Sequence, residues 1–189
     1  WVTLKVLGQL GAAVKYFEQA LVIKPDYPEV HYNLGNTLSS LGQLDAAVEH
    51  FEKALFIKSD YPEAHCNLGN TLSDLGRLDA AVKHYEQALV IKPNYVEAHC
   101  NLGVALKALG QLDAAVKHYE QALVIKPDYV KAHSNLGVAL KALGQLDAAI
   151  KHYDQALVIK PDYVEAHSNL GIALKALGQL DAAVKHYEQ

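Results

Sequence analysis

The chain has 189 residues, 51% of them apolar and 8% aromatic, with a formal net charge of −4 at pH 7. This negative balance argues against broad nucleic-acid binding, which requires a basic surface. No apolar run approaches the roughly 20 residues of a membrane span, and no signal-peptide pattern opens the chain. The composition therefore predicts a soluble protein, cytoplasmic or, if the chain is a processed mature form, extracellular. Because the chain starts at Trp1 and contains no Met, we expect such a form or an excerpt of a longer protein.

The chain repeats itself every 34 residues. The same glycine recurs in six copies of the unit, at Gly8, Gly42, Gly76, Gly110, Gly144 and Gly178. An internal period of this length indicates one supersecondary unit stacked on copies of itself. The predicted boundaries form one continuous array of a partial repeat at 1–27, full repeats at 28–61, 62–95, 96–129 and 130–163, and a partial repeat at 164–189.

The predicted elements follow the same order in every copy. The chain opens part-way through a first helix, and in repeat 62–95 the helical face is marked by apolar residues three or four apart, namely Ala64, Leu68, Leu72 and Leu75. Gly76 is expected to end that helix in a left-handed conformation. A second helix begins near Asp79, whose charge suits the helix dipole, and it stops before Pro93. The chain closes part-way through a second helix, so each unit is predicted to be a pair of antiparallel helices.

A glycine also lies inside each first helix, where it costs about 1 kcal/mol relative to alanine. In repeat 62–95 this residue is Gly69. We expect it to let the two helices approach closely against Ala81 and Ala88, with Tyr85 filling the gap towards the next repeat.

These residues resemble the tetratricopeptide repeat (TPR). The pattern His65-x2-Leu68-Gly69-x2-Leu72, followed by Ala81-x3-Tyr85, Ala88 and Pro93, carries the resemblance over the entire chain. It departs from the family where an early Trp is replaced by His and where the Tyr after the glycine is Leu. The resemblance implies an all-α fold, a right-handed α-solenoid of antiparallel helix pairs (the TPR superhelix). It also implies a concave groove, lined by the first helices, that binds peptides or proteins.

One asparagine per repeat forms a ladder on the first helices, at Asn33, Asn67, Asn101, Asn135 and Asn169. An amide both donates and accepts hydrogen bonds, so such a ladder suits the backbone of an extended peptide. The ladder resembles that of the repeats of O-linked N-acetylglucosamine transferases. The alternative is that each amide bonds a neighbouring helix of the stack. No catalytic domain or nucleophile–base set accompanies it, so we expect no enzymatic activity and no cofactor.

Three lysines follow the same first helices in the second half of the chain, at Lys107, Lys141 and Lys175, where earlier repeats carry Ser39 and Ser73. The groove is thus expected to change from neutral to basic along the chain, which favours an acidic partner segment. The alternative is a solvated lysine face. The carboxylate clamp of chaperone-binding TPR proteins is missing, because no Lys precedes the first Asn of any repeat.

Ten histidines form two further ladders, at His31, His65, His99, His133 and His167, and at His50, His84, His118, His152 and His186. Metal binding needs ligands within about 2.1 Å of one point, and one His per repeat spreads them too widely, so we expect no metal site. Protonation of all ten near their reference pKa of about 6.5 would add ten charges and move the net charge from −4 to +6. This predicts a change in self-association or partner binding between about pH 7.5 and 5.5.

The two cysteines, Cys66 and Cys100, occupy the same position in adjacent repeats. Equivalent positions in stacked helices lie about 10 Å apart, and a disulfide needs Cα atoms within about 7 Å. We therefore expect two free, buried or half-buried thiols.

Three functions remain open from the sequence. The first is a non-enzymatic scaffold for protein–protein interaction through the concave groove. The second is a structural protein that polymerises head-to-tail into a filament, since the terminal repeats are uncapped and expose Trp1, Val2, Leu4 and Tyr187 as an end-to-end interface. The third is the repeat region of a larger enzyme. The expected partners are a protein or an extended, acidic peptide, or copies of the chain itself, with no nucleic acid and no membrane.

Overall fold

A computed structural model describes residues 2–187, with side chains from 9 to 185. This part of the chain is all-α, a solenoid of helix pairs with no strand. The helices are α1 (Val2–Ile23), α2 (Pro28–Ser40), α3 (Leu44–Ile57), α4 (Pro62–Asp74), α5 (Leu78–Ile91), α6 (Val96–Ala108), α7 (Leu112–Ile125), α8 (Val130–Ala142), α9 (Leu146–Ile159), α10 (Val164–Ala176) and α11 (Leu180–Tyr187). None of the helices in this part is long and apolar enough to cross a membrane.

The first compact unit, Trp1–Pro93, contains α1 to α5. Its helices pack in the pairs α2/α3 and α4/α5, and α3 also contacts α4. The core is a line of apolar side chains from both members of each pair. Leu34 and Leu68 come from the first helices and Phe51 and Tyr85 from the second, each at most 2% exposed.

The second compact unit, Asn94–Gln189, contains α6 to α11 and repeats this packing. The pairs are α6/α7, α8/α9 and α10/α11. The core again combines first-helix leucines, Leu102 and Leu136, with second-helix tyrosines, Tyr119 and Tyr153, each at most 1% exposed. The apolar spacing of the first helices therefore predicts their buried face correctly.

The turn inside each pair is made by the periodic glycine, as predicted. Gly76 has φ +72°, a left-handed conformation that L side chains rarely adopt. It lets the backbone N–H of Arg77 donate to the carbonyl of Leu72 at 2.8 Å, closing the end of α4. Gly42, Gly110, Gly144 and Gly178 have the same geometry.

The first segment departs from the pattern. Residues Val2–Ile23 form one continuous helix, so Gly8 does not make the turn that its place on the period suggests, and 1–27 is not divided into two helices. A physical reason lies three residues further on. The other repeats carry Asp in the first turn of the second helix, such as Asp45 in α3, where it favours a helix start. Gly11 stands at that position here.

The glycine inside each first helix has a different reason from the one expected. A Cβ added to Gly69 would lie 2.7 Å from Cε1 of Tyr85, and one added to Gly103 would lie 2.6 Å from Cε1 of Tyr119. The glycine therefore makes room for the aromatic ring of its own repeat. Contact between this ring and the first helix holds each helix pair together.

Candidate functional site

The predicted amides and lysines lie on the first helices, and their exposure differs from repeat to repeat. Asn33 is exposed, whereas Asn67, Asn101, Asn135 and Asn169 are half-buried. Of the lysines, Lys107 and Lys141 are half-buried and Lys175 is exposed.

In the first unit, α2 and α4 enclose a polar cleft of about 330 Å³. We call it the amide cleft; it is lined by Asn36, Ser39, Ser40, Phe51, Asn67, Asn70 and Thr71. Asn67 Nδ2 donates to Asn36 Oδ1 at 2.8 Å and to Tyr32 Oη at 3.0 Å. Both N–H groups of Asn67 are thus occupied by the preceding repeat, which is the alternative that the sequence left open for this residue.

Two amides of the asparagine ladder in the second unit, Asn135 and Asn169, also form contacts within the stack. Asn135 Nδ2 donates to Cys100 Sγ at 3.8 Å, a weak bond. Asn169 Oδ1 accepts a hydrogen bond from Lys141 Nζ at 3.3 Å. The ladder is therefore partly engaged within the stack, and what it offers a peptide differs from repeat to repeat.

Three repeats bury a tyrosine at the same place on the second helix, Tyr85, Tyr119 and Tyr153, and the sequence did not predict the contacts of their hydroxyl groups. Tyr85 Oη donates to Asn70 Oδ1 at 2.9 Å. The residues equivalent to Asn70 are Val104 and Val138, which cannot accept. Accordingly, the buried hydroxyls of Tyr119 and Tyr153 have no hydrogen-bond partner within the described part of the chain. Comparing positions 70, 104 and 138 along the repeat would have revealed this difference.

Lys107 on α6 and Lys141 on α8 carry like charges close enough to interact. Burial, and then repulsion from Lys141, lower the pKa of the Lys107 ammonium. Within the described residues no carboxylate forms an ion pair with either side chain, whereas Lys58 pairs with Glu29 and Lys92 with Glu63. We call Lys107 and Lys141 the lysine pair. It is a concentration of positive charge that no ion pair among the described residues neutralises.

The two histidine ladders meet in pairs, which the sequence reading missed. His31 and His50 lie with their Nδ1 atoms 3.0 Å apart, and three further pairs have the same contact at 3.1 Å: His65 with His84, His99 with His118, and His133 with His152. The offset of 19 residues between the two ladders, in helices that pack as a pair, was the available signal.

This pairing corrects the titration predicted from the sequence. Burial, and then the charge of the partner histidine, lower the pKa of His50 and of His84 to about 4. The same causes lower the pKa of His118 and His152. His50 and His84 stay neutral at pH 5.5, so the net charge does not reach +6 there. Within the described residues, no three metal-binding side chains lie close enough to hold an ion.

The remaining site predictions concern the thiols and the chain ends. Cys66 and Cys100 form no disulfide and are buried, as expected, and burial raises the pKa of the Cys100 thiol. Of the proposed end-to-end interface, Trp1 lies outside the described residues, as do the side chains of Val2, Leu4 and Tyr187.

Comparison with known families decides what these helix pairs are. A model of the TPR repeat matches residues 5–42, 35–76, 69–110, 105–144 and 139–178. The chain belongs to the TPR family. A model of the aromatic-di-alanine (AdAR) repeat matches residues 183–189 of this TPR chain. A comparison of the chain with curated proteins found no match.

Solved TPR structures are similar over most of both chains. MamA is 26% identical, with a TM-score of 0.77, 85% of this chain and 88% of that chain covered. A thermophilic TPR protein from Thermus thermophilus is 29% identical, with a TM-score of 0.70 and coverages of 86% and 89%. YrrB, described as a TPR protein with an unusual peptide-binding site, is 23% identical, with a TM-score of 0.75 and coverages of 91% and 89%; that similarity concerns the fold alone. The TPR fold of this chain supports a scaffold for protein–protein interaction.

Proposed function

We propose that the chain is a non-enzymatic scaffold that binds an extended, acidic peptide segment of another protein along its first helices. The lysine pair is the observation that carries this proposal. Two ammonium groups that repel each other in a half-buried place are stabilised by an anion between or beside them, because opposite charge within about 4–6 Å favours the charged form. A carboxylate of a partner supplies that charge.

The amides give the rest of the surface its character. In the second unit, Asn101 and Asn135 are half-buried on the same first helices as Lys107 and Lys141, and an amide can exchange hydrogen bonds with the backbone of an extended peptide regardless of its sequence. The ladder thus holds the main chain, while the lysine pair selects acidic side chains. Peptide binding is also what the name of YrrB states for that protein.

The proposal is tested by removing the lysine pair and comparing a matched variant. Lys107→Ala with Lys141→Ala removes two charges from the first helices. Lys117→Ala with Lys151→Ala removes two exposed charges from second helices. The probe is a fluorescein-labelled 12-residue peptide of Asp, Glu, Ser and Ala, with a second peptide in which Asn and Gln replace the acids.

We expect the acidic peptide to bind the wild-type chain and the Lys117/Lys151 variant alike. The Lys107/Lys141 variant should bind it about tenfold more weakly, and the neutral peptide should bind weakly to all three. Equal losses in the two lysine variants would show that only the net charge matters. A variant with Asn101→Ala and Asn135→Ala tests the ladder, because undiminished binding would remove these amides from the site.

A second candidate, head-to-tail assembly, is favoured by one surface. On α11, Leu180 is 59% and Val184 is 53% exposed, whereas the equivalent Leu146 and Ile150 on α9 are half-buried. A second copy could stack on this face and continue the alternation of helices, a contact that does not close on itself. Electron micrographs at high protein concentration test it: filaments would support the assembly, and dispersed particles would exclude it.

A further inference from the structure

The second helices α5, α7 and α9 have nearly identical sequences, and α3 differs from them on its exposed side. Glu49 stands where the other repeats carry Lys, and Lys53 stands where they carry Gln. Phe56 replaces a valine and is 93% exposed. These three residues follow one another at spacings of four and three, so they form a single stripe along the helix. Because Phe56 is exposed, it does not pack in the core of its own repeat. Only contact with another molecule would bury it.

This stripe forms one wall of a groove in the first unit. The groove encloses about 790 Å³ between α3 and the end of α1, with Leu21 and Pro25 on the opposite side. The His31–His50 pair lies at its base, and Asp26 lines it near Pro25. No residue that lines it also lines the amide cleft. We call it the α3 groove; its volume is in the roughly 300–1,000 Å³ range of ligand-binding clefts.

The charges around the α3 groove have one predominant sign. Asp26, Glu49 and Glu52 are acidic, and Lys53 is the basic residue that faces them in the lining. His50 is neutral above about pH 4 because burial and its neighbours His31 and Lys53 lower its pKa. The surface therefore combines an aromatic side chain with a surplus of carboxylates.

The second unit provides the matched comparison. Equivalent residues around α9 are identical at Leu123, Pro127 and His152, but Lys151 stands for Glu49 and Val158 for Phe56. The backbone of α9 has the same length and the same ends within the repeat as that of α3. The α3 groove and the equivalent surface beside α9 thus differ only in their side chains. The difference changes the charge at position 49 and replaces the aromatic Phe56 with a valine.

We propose that the α3 groove is a second interaction surface, which binds a basic amphipathic helix of another protein. Glu49 and Phe56 are separated by seven residues, about 10 Å along the helix axis. A partner helix with Lys or Arg on one turn and a Leu or Phe two turns away has the same spacing. Its apolar side chain packs against Phe56, Leu21 and Pro25, and its cations face Glu49 and Glu52, as complementary charge requires.

The test uses a defined helical probe and variants that carry the residues of the other repeats. The probe is a labelled 18-residue peptide of Leu, Ala and Lys, with Leu at spacings of three and four and Lys on the flanking positions. In the control peptide Glu replaces Lys. The first variant is Glu49→Lys with Phe56→Val, which the same fold accommodates at Lys151 and Val158. Glu120→Lys on the exposed side of α7 is the charge control.

We expect the basic peptide to bind the wild-type chain and the Glu120→Lys variant equally, and the double variant about tenfold more weakly. Adding Lys151→Glu and Val158→Phe to the double variant should restore binding, now beside α9. No binding of the basic peptide, equal binding of the acidic peptide, or full binding to the double variant would each overturn the proposal. The alternative occupant of the α3 groove is a second copy of this chain, and sedimentation velocity without peptide tests it. Self-association of the wild-type chain that is lost in the double variant would assign the groove to a second copy and overturn the proposal.

Discussion

His31 and His50 face each other through the same ring atom, with their Nδ1 atoms 3.0 Å apart. His31 Nε2 also lies 3.0 Å from the carbonyl oxygen of Pro25, which can only accept a hydrogen bond. His31 Nε2 therefore carries the hydrogen, and its Nδ1 is the acceptor when the ring is neutral. It follows that His50 is the donor in the pair and carries its hydrogen on Nδ1.

The same assignment applies in the second unit, where His133 Nε2 lies 2.9 Å from the carbonyl oxygen of Pro127 and His133 Nδ1 lies 3.1 Å from His152 Nδ1. The Nδ1–Nδ1 hydrogen bond of such a pair needs one ring to donate and the other to accept. It forms when both rings are neutral, and it can persist when one added proton makes one ring cationic. Two added protons place N–H groups against each other. Each of the four described histidine pairs is thus a contact that acid weakens.

The first prediction concerns stability against pH. Because the pKa of His84 is about 4 in the folded chain and 6.5 in the reference state, the unfolded chain binds the proton first as the pH falls. The free energy of unfolding should be highest above pH 6.5 and should fall from there to pH 4. His50 behaves alike. Allowing for their partial exposure, we expect each to contribute about 1 kcal/mol to the loss.

Urea denaturation at pH 7.5, 6.0 and 5.0 measures this slope. His84→Gln should reduce the slope, because one fewer proton distinguishes the unfolded from the folded chain. His186 lies beyond the described side chains and is left unchanged. An identical pH dependence in wild type and His84→Gln would contradict the assignment.

The second prediction uses the unpaired tyrosines. Val104→Asn places an amide where Asn70 accepts from Tyr85, so it should give Tyr119 Oη a partner and stabilise the chain by about 1 kcal/mol. The reverse change, Asn70→Val, should cost about 1–3 kcal/mol because it leaves the Tyr85 hydroxyl buried and unpaired.

Equilibrium unfolding of both variants checks these signs. Tyr119→Phe is the control, since removing a hydroxyl that has no partner should cost almost nothing, whereas Tyr85→Phe should cost about 1 kcal/mol. Equal losses for the two phenylalanine variants would show that the two hydroxyls have equivalent surroundings.

The third prediction concerns Gly103. Alanine is the better helix former by about 1 kcal/mol, yet its Cβ would lie 2.6 Å from Cε1 of the fully buried Tyr119. Gly103→Ala should therefore destabilise the chain by about 2 kcal/mol. Gly11→Ala in α1 is the matched control, because no atom lies within 4 Å of the added Cβ, and this variant should be stabilised. Thermal unfolding separates the two, and a stabilised Gly103→Ala would be the contrary result.

The fold follows from the sequence because its signals are local and repeated. The spacing of Leu68 and Leu72, the left-handed Gly76 and the stop before Pro93 act within a few residues, and each was predicted correctly. The continuous α1 was not, because Gly8 matches the period while Gly11 lacks the acidic residue that starts a second helix. The 34-residue period shows which residues the repeats share, but it does not show that one repeat lacks a residue needed to start its second helix.

The candidate site is less readable because its contacts join residues far apart in the chain. The acceptors of the Asn67 amide N–H groups are Tyr32 and Asn36 in the preceding repeat, and nothing in one repeat alone indicates them. The histidine pairs join positions 19 residues apart on different helices. Such contacts depend on how the helices pack, because the packing determines which positions of the repeat contact each other.

Nuclear magnetic resonance of the chain with labelled lysine side chains tests the proposed function most directly. An acidic 12-residue peptide is titrated into the protein while the signals of all lysines are followed. Binding at the lysine pair predicts shifts at Lys107 and Lys141, a rise in the pKa of Lys107, and little change at Lys117 and Lys151. Shifts confined to the exposed lysines of the second helices, or no binding of the peptide, would contradict the proposal.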